Sequence, residues 1–312
     1  MNASFIHRVS ITSALTLVFT VSAANATAYS WTEILIPSLG PLGYAAGPNN
    51  MGQVTVTSAD GSKGGIYRNG VFTPLPPAPA GYIVSPRGIN DRGTIVGAAY
   101  LHSDPTHEQG FILSGSKYTF FSQPGWDTTE ARAIANSGLI TGYSGTADLT
   151  TTAGFIYNPR TKSFTNATPP GSGAGFSVTQ GMNADGRISG DGRSTELGRY
   201  AFVWQQGTLG SGARVFAPFL ARFTIADGGT AARGINDAGV IVGFTGRPDG
   251  EAVGVVGSDS HGFQLLVPPG GDAPGAIVVC EGINNLRQVV CLVTDAAGNN
   301  RDFIGIPDEN DQ

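Results

Sequence analysis

The chain has 312 residues, with 46 Gly and 19 Pro, 13% charged residues and a formal net charge of −5. The low charge and the lack of any Lys/Arg run exclude a nucleic-acid binder, which needs a basic surface to displace phosphate counterions; the 40% hydrophobic content excludes a disordered chain. Abundant Gly and few helix formers predict many short strands joined by tight turns.

Residues 1–26 read as a secretory signal peptide. Arg8, with His7, forms a short basic start, Val9 to Ala23 is apolar or small, and Ala24-Asn25-Ala26 fits an A-x-A cleavage site, with Ala26-Thr27-Ala28 as a second candidate. The apolar run is too short and too rich in Ser and Thr to span a bilayer core of roughly 30 Å. The expected mature protein is secreted or periplasmic, without a membrane span, and monomeric.

A strand-like segment, Trp31–Pro37, comes next and belongs to no repeat. From Gly47 onward a ten-residue pattern recurs six times: GPNNMGQVTV, GINDRGTIVG from Gly88, AIANSGLITG from Ala133, GMNADGRISG from Gly181, GINDAGVIVG from Gly234 and GINNLRQVVC from Gly282. The successive spacings are 41, 45, 48, 53 and 48 residues. Asn-Asp-x-Gly is hairpin chemistry, the Asn side chain capping the turn and Gly taking the left-handed position. The predicted structural turn residues are Asn90, Gly93, Gly138, Asn183, Gly186, Asn236, Gly239 and Asn284. The β-branched residues after each turn read as a second strand. A third comes at a nearly fixed distance (from Gly65, Gly110, Gly154, Tyr200, Ala252 and Asp302), then a fourth (from Val71, Tyr118, Ser163, Arg214 and Phe263).

Four strands per repeat of this length is the size of a propeller blade. The sixth repeat has no fourth strand, and Trp31–Pro37 fits the missing slot. The predicted architecture is thus an all-β, six-bladed propeller over 27–312. Its blades lie at about 41–77, 82–124, 129–168, 176–220, 229–268 and 275–312, the last completed by 31–37. An open β-solenoid is the alternative, but it has no need of a leftover strand.

The G-I-N-x-x-G-x-x-V-G motif, followed by a strand with an aromatic residue, resembles the bacterial HAF family of extracellular repeat proteins, named for a His-Ala-Phe triplet at the start of the third strand. Gly88–Gly97 and Gly234–Gly243 match well, and Ser38–Gly43 (SLGPLG) looks like the family's LG-x-LG run. The triplet is nowhere intact; Tyr200-Ala201-Phe202 and Arg301-Asp302-Phe303 come closest. The resemblance implies export and a repeat architecture, and no activity.

Sites for chemistry are sparse. His102, Asp104, His107 and Glu108 share the segment LHSDPTHEQ, read as a polar loop and as weak candidates for a divalent metal. Gly171–Gly175 lies between strands, so phosphate cradling is not expected, and His261 falls in a surface turn. No G-x-S-x-G elbow occurs, and no pair of carboxylates stands out for glycoside chemistry. No cofactor is expected. Cys280 and Cys291 flank the last hairpin and are expected to form a disulfide if the turn at Asn285-Leu286 carries no bulge.

Variable segments between uniform turns are where function sits on a rigid frame. The expected function is that of a binding or scaffold module for a surface glycan or protein. A polysaccharide hydrolase or lyase and a self-associating matrix protein are the alternatives.

Overall fold

The computed structural model describes residues 28–168, 175–194, 198–205, 214–215, 229–246, 251–258 and 261–308. The predicted signal peptide over 1–26 and residues 171–174 of the glycine-rich stretch lie outside the described residues. So do parts of blades 4 and 5 and of the link between them.

A short strand, β1 (Tyr29–Glu33), opens the described chain. Blade 1 comes next as β2 (Leu42–Ala46), β3 (Val54–Ser58), β4 (Gly64–Arg68) and β5 (Val71–Pro74). Blade 2 is β6 (Tyr82–Ile89), β7 (Ile95–Leu101), β8 (Asp104–Ser114) and β9 (Lys117–Phe121). Blade 3 is β10 (Thr128–Ile134), β11 (Ile140–Gly145), β12 (Thr152–Asn158) and β13 (Ser163–Asn166). Blade 4 is β14 (Ser177–Met182), β15 (Arg187–Ser194), β16 (Gly198–Gln205) and β17 (Arg214–Val215). Blade 5 is β18 (Thr230–Ile235), β19 (Ile241–Gly246), β20 (Ala252–Ser258) and β21 (Gly262–Leu266). Blade 6 has β22 (Ile277–Ile283), β23 (Val289–Thr294) and β24 (Asn300–Pro307).

Each blade is a four-stranded antiparallel sheet, and the sixth has the order β1-β24-β23-β22. The protein is a six-bladed propeller closed by its N-terminal strand. β1 runs from Tyr29 opposite Pro307 to Glu33 opposite Phe303. It ends sooner than the sequence suggests. The side-chain alternation leads from an exposed Thr32 to a buried Ile34 and Ile36. The reason is that, after a last bond from Ile34 N–H to the Asp302 carbonyl, the chain leaves the last blade and crosses to the first. There Ile34 and Ile36 pack with Val54, Val56 and Tyr67 of blade 1 and Val290 of blade 6. The core lies between blades in the same way elsewhere: Val242 and Val256 of blade 5 share a cluster with Val278, Val289 and Cys280 of blade 6.

The motif's local structure is set by its residues. In blade 2 the Asn90 Oδ1 accepts from the backbone N–H groups of Arg92 and Thr94, and Gly93 takes φ +75°. The last Gly has a separate cause. A bulge in the first strand drives a carbonyl toward the second, and a Cβ on Gly243 would lie 1.9 Å from the Ala231 oxygen.

In blade 6 that tenth position is Cys291, bonded to Cys280 directly opposite. The pairing arises by a route that the sequence argues against. The turn is bulged, with Arg287 in the left-handed position at φ +59°, and Ile283 pairs with Val289. That shift alone would put the two cysteines on opposite faces. A second bulge between Cys280 and Gly282 restores the register.

Candidate functional site

The bulges also build the channel. In five blades the residue omitted from pairing in the first strand is the one before the motif: Arg87, Arg132, Gln180, Arg233 and Glu281. All five line a central cavity of about 130 Å³. A bulge of this kind re-aims a side chain that strict alternation would place elsewhere. In blade 1 the bulge falls at Gly43, and Tyr44 takes the channel position. The sequence carries a signal for this: a charged or amide residue recurs just before the motif in an otherwise apolar strand.

These side chains bond one another and neighbouring residues outside the cavity lining. Glu130 Oε1 accepts from Arg87 Nε at 2.7 Å and Arg132 Nη1 at 2.8 Å, and its Oε2 accepts from Tyr143 Oη at 2.6 Å. Arg132 Nε donates to Gln180 Oε1 at 2.7 Å, and Arg199 Nε to Asp191 Oδ2 at 2.7 Å. Tyr44 Oη donates to Glu281 Oε2 at 3.3 Å, and the Arg87 guanidinium lies over the Tyr44 ring at 4.3 Å. Burial alone would raise the Glu130 carboxyl, but Arg132 and Arg87 outweigh it and hold the group ionised. Burial pushes the Tyr44 hydroxyl up to about 12.

Two other carboxyls move the opposite way. Burial and the negative Glu130 raise Glu108 to about 8, and burial with Glu281 raises Asp302 to about 7. The folded state keeps protons that the unfolded chain gives up above its ordinary carboxylate values of 4.5 and 3.8. Stability is therefore lost as pH rises from about 4 to 8. The melting temperature of the wild type should fall across pH 5 to 8, more shallowly in Glu108→Gln and most shallowly when Asp302→Asn is added. An unchanged slope in the double variant would show that these carboxyls are not the cause.

At the channel rim, the motif Asn residues do two jobs. Their Oδ1 atoms cap their own turns, and their Nδ2 atoms donate to the next blade. Asn49 bonds the carbonyl of Asn90, Asn90 that of Ala135, Asn183 that of Asn236, Asn236 that of Asn284, and Asn284 that of Asn49. The last of these crosses the closure seam, where a Cβ on Gly282 would strike the Gly47 carbonyl at 1.7 Å. Blade 3 carries Ala135 instead, so no such amide links it to blade 4. There Thr141 Oγ1 donates to Thr179 Oγ1 at 2.8 Å across the seam.

Away from these turns, the segment LHSDPTHEQ is a bulged hairpin. β7 runs to Leu101, which pairs with Asp104 across a turn at His102 and Ser103, but Pro105–Glu108 bulge out opposite Tyr100 and pairing resumes only at Gln109 opposite Ala99. Asp104 and His107 meet at 2.9 Å on the exposed surface, and that bond lowers Asp104 and raises His107. Glu108 instead feels the charge of Glu130 and the channel arginines. Among the described residues, no group of three or more His, Cys, Asp or Glu is placed to hold a metal ion. His261 sits in the β20–β21 turn with Nδ1 3.2 Å from Ser258 Oγ.

A groove of about 260 Å³ opens beside this hairpin. Tyr82, Leu101, Asp104, His107, Glu108 and Gln109 line one part, and Ser122, Trp126 and Asp127 of the link to blade 3 line the other. Tyr82 stacks on Phe120 with ring centroids 4.4 Å apart and donates to Gln109 Oε1 at 3.3 Å. Trp126 is not legible as a site residue in the sequence, because an isolated Trp in a link carries no pattern.

No family model matches the chain, the HAF repeat included, so what stands of that resemblance is a repeat-built β-propeller. No curated protein matches it either. Solved structures of similar fold include a Bacteroides fragilis protein described only as a candidate for export. Its TM-score is 0.52 at 9% identity, over 92% of this chain and 98% of that one. TolB from Acinetobacter baumannii gives 0.48 at 13% identity, and this chain, matched over 85% of its length, spans only 55% of TolB. An Aleuria aurantia lectin variant in complex with Fucα1-6GlcNAc gives 0.49 at 11% identity, over 81% of this chain and 87% of the lectin. At such identities the likeness is one of fold. No helix among the described residues is long and apolar enough to cross a membrane.

Proposed function

We propose that this protein is an exported carbohydrate-binding propeller that holds a glycan in the groove between blades 2 and 3. The observation that supports this most directly is the composition of that groove. An indole and a phenol, Trp126 and Tyr82, stand beside Asp104, His107, Gln109, Ser122 and Asp127. A sugar presents apolar C–H faces and a ring of hydroxyls, so aromatic rings and bidentate acceptors are the chemistry that recognises it. The groove also lies among the variable connections, while the motif turns are uniform. A glycan array with the mature protein tests this reading, followed by titration of the best hit. Trp126→Ala should weaken binding by about tenfold or more, equivalent to roughly 1.4 kcal/mol, with an unchanged melting temperature. Absence of any glycan hit, or equal affinity in the variant, sinks the proposal.

A second reading, cleavage of a polysaccharide, draws on Glu108 and Glu130, two neighbouring carboxyls driven to opposite protonation states. Glu130 has both oxygens engaged by Arg87, Arg132 and Tyr143, which leaves it poorly placed to attack or to activate water. That favours binding. Release of reducing ends or unsaturated sugars, lost in Glu108→Gln, would reverse the preference.

A further inference from the structure

Three arginines, Arg87, Arg132 and Arg233, line the central cavity together with Glu281. Glu130 takes bonds from the first two, and the donor left over belongs to Arg233. Its Nε is buried with no hydrogen-bond partner, and the Glu281 carboxylate lies 4.0 Å away, beyond hydrogen-bond reach. A buried polar group left unsatisfied in a native fold calls for a reason, because its desolvation is uncompensated.

Arg233 lines the same cavity as Arg87, Arg132 and Gln180. Of the five N–H groups on each guanidinium, Arg87 gives one to Glu130, while Arg132 gives one to Glu130 and one to Gln180. Two carboxylates, Asp91 and Asp237, also line the cavity, at its rim. They are turned to amides: Asp91 accepts from Asn50 and Asn136, and Asp237 from Ala184 N–H and Asn285. The rim acids are thus satisfied and the arginine-bearing floor is not.

We infer that the turn-face mouth of the channel is a binding site for a small oxyanion, accepted by Arg233 together with Arg132 and Arg87. The cavity of about 130 Å³ suits one phosphate or carboxylate group, either free or as the acidic end of a larger ligand. The planar fork of arginine fits both. The site lies apart from the Trp126 groove, shares no lining residue with it, and does not depend on that groove binding a glycan.

Calorimetric titration with inorganic phosphate, acetate and galacturonate tests the inference. Saturable one-to-one binding of at least one of them, weakened tenfold or more in Arg233→Gln and unchanged in the surface variant Glu33→Gln, is the expected result. Phosphate alone binding identifies a phosphate site, and acetate or galacturonate binding identifies a carboxylate site. If Arg233→Gln fails to fold, the wild type labelled with 15N-arginine supplies the readout. Titration should then shift the arginine Nε–H signal that is lost in Arg233→Lys. No binding of any of the three, or binding that leaves Arg233 unaffected, overturns the inference.

Discussion

Deleting residues 29–37 should destabilise the protein by more than about 5 kcal/mol and make it aggregate. The segment gives β24 its outer partner along Tyr29–Glu33. The ladder continues one bond further, where Ile34 N–H donates to the Asp302 carbonyl at 2.8 Å. It then buries Ile34 and Ile36 in the first blade, and Trp31 packs against the cluster shared by blades 5 and 6. Each fully buried aliphatic side chain contributes roughly 1.5–3 kcal/mol. At roughly 2–4 °C per kcal/mol for a chain of this class, the melting temperature should drop by more than about 10 °C. The exposed edge of β24 is then free to pair with another molecule, so light scattering should rise on heating. Glu33→Gln is the control. It removes the exposed two-pronged pair with Arg301, at 2.7 and 3.0 Å, and should cost less than about 1 kcal/mol, since exposed ion pairs contribute little. A deletion that melts like the control would mean the ring does not depend on its closing strand.

Asn236→Asp should cost roughly 2–4 kcal/mol although it keeps a good turn former. The Oδ1 of Asn236 caps its own turn by accepting from Val240 N–H at 2.9 Å, which a carboxylate can still do. Its Nδ2 donates to the Asn284 carbonyl at 3.2 Å in a buried setting. An aspartate has no donor there and sets a negative charge against a carbonyl oxygen, which is a repulsive and desolvated arrangement. Chemical denaturation should show a lower midpoint in Asn236→Asp and a smaller loss in Asn236→Ser, which retains a donor. Equal stability of all three would mean the amide serves the turn alone. The converse holds at Ala135, where an asparagine would supply the amide that the seam between blades 3 and 4 lacks.

The repeat, its four strands and their number are legible in the amino-acid order without coordinates. Hairpin chemistry is local: an Asn cap, a left-handed residue and a β-branched strand can each be read within ten residues. The shortage of one strand in the sixth repeat and the surplus ahead of the first point to a closed ring, and the pairing of β1 with β24 closes it. Whatever is set by a register is not legible in this way. Arg287 in place of the usual Gly argues against a bulged turn, yet the turn is bulged, and only a second bulge at Glu281 brings Cys280 opposite Cys291. The same bulges turn Arg87, Arg132, Gln180, Arg233 and Glu281 into the channel. The register shift between β7 and β8 likewise bulges Pro105–Glu108 out of the ladder and sets Glu108 apart from the exposed Asp104–His107 pair. The physical reason is shared. A one-residue shift costs little backbone energy but moves a side chain to another face, and its outcome depends on packing with neighbouring blades about 40 to 50 residues away in sequence. Local chemistry therefore specifies the turns and strands, while the closed ring of six blades selects which side chains meet in the channel and the groove.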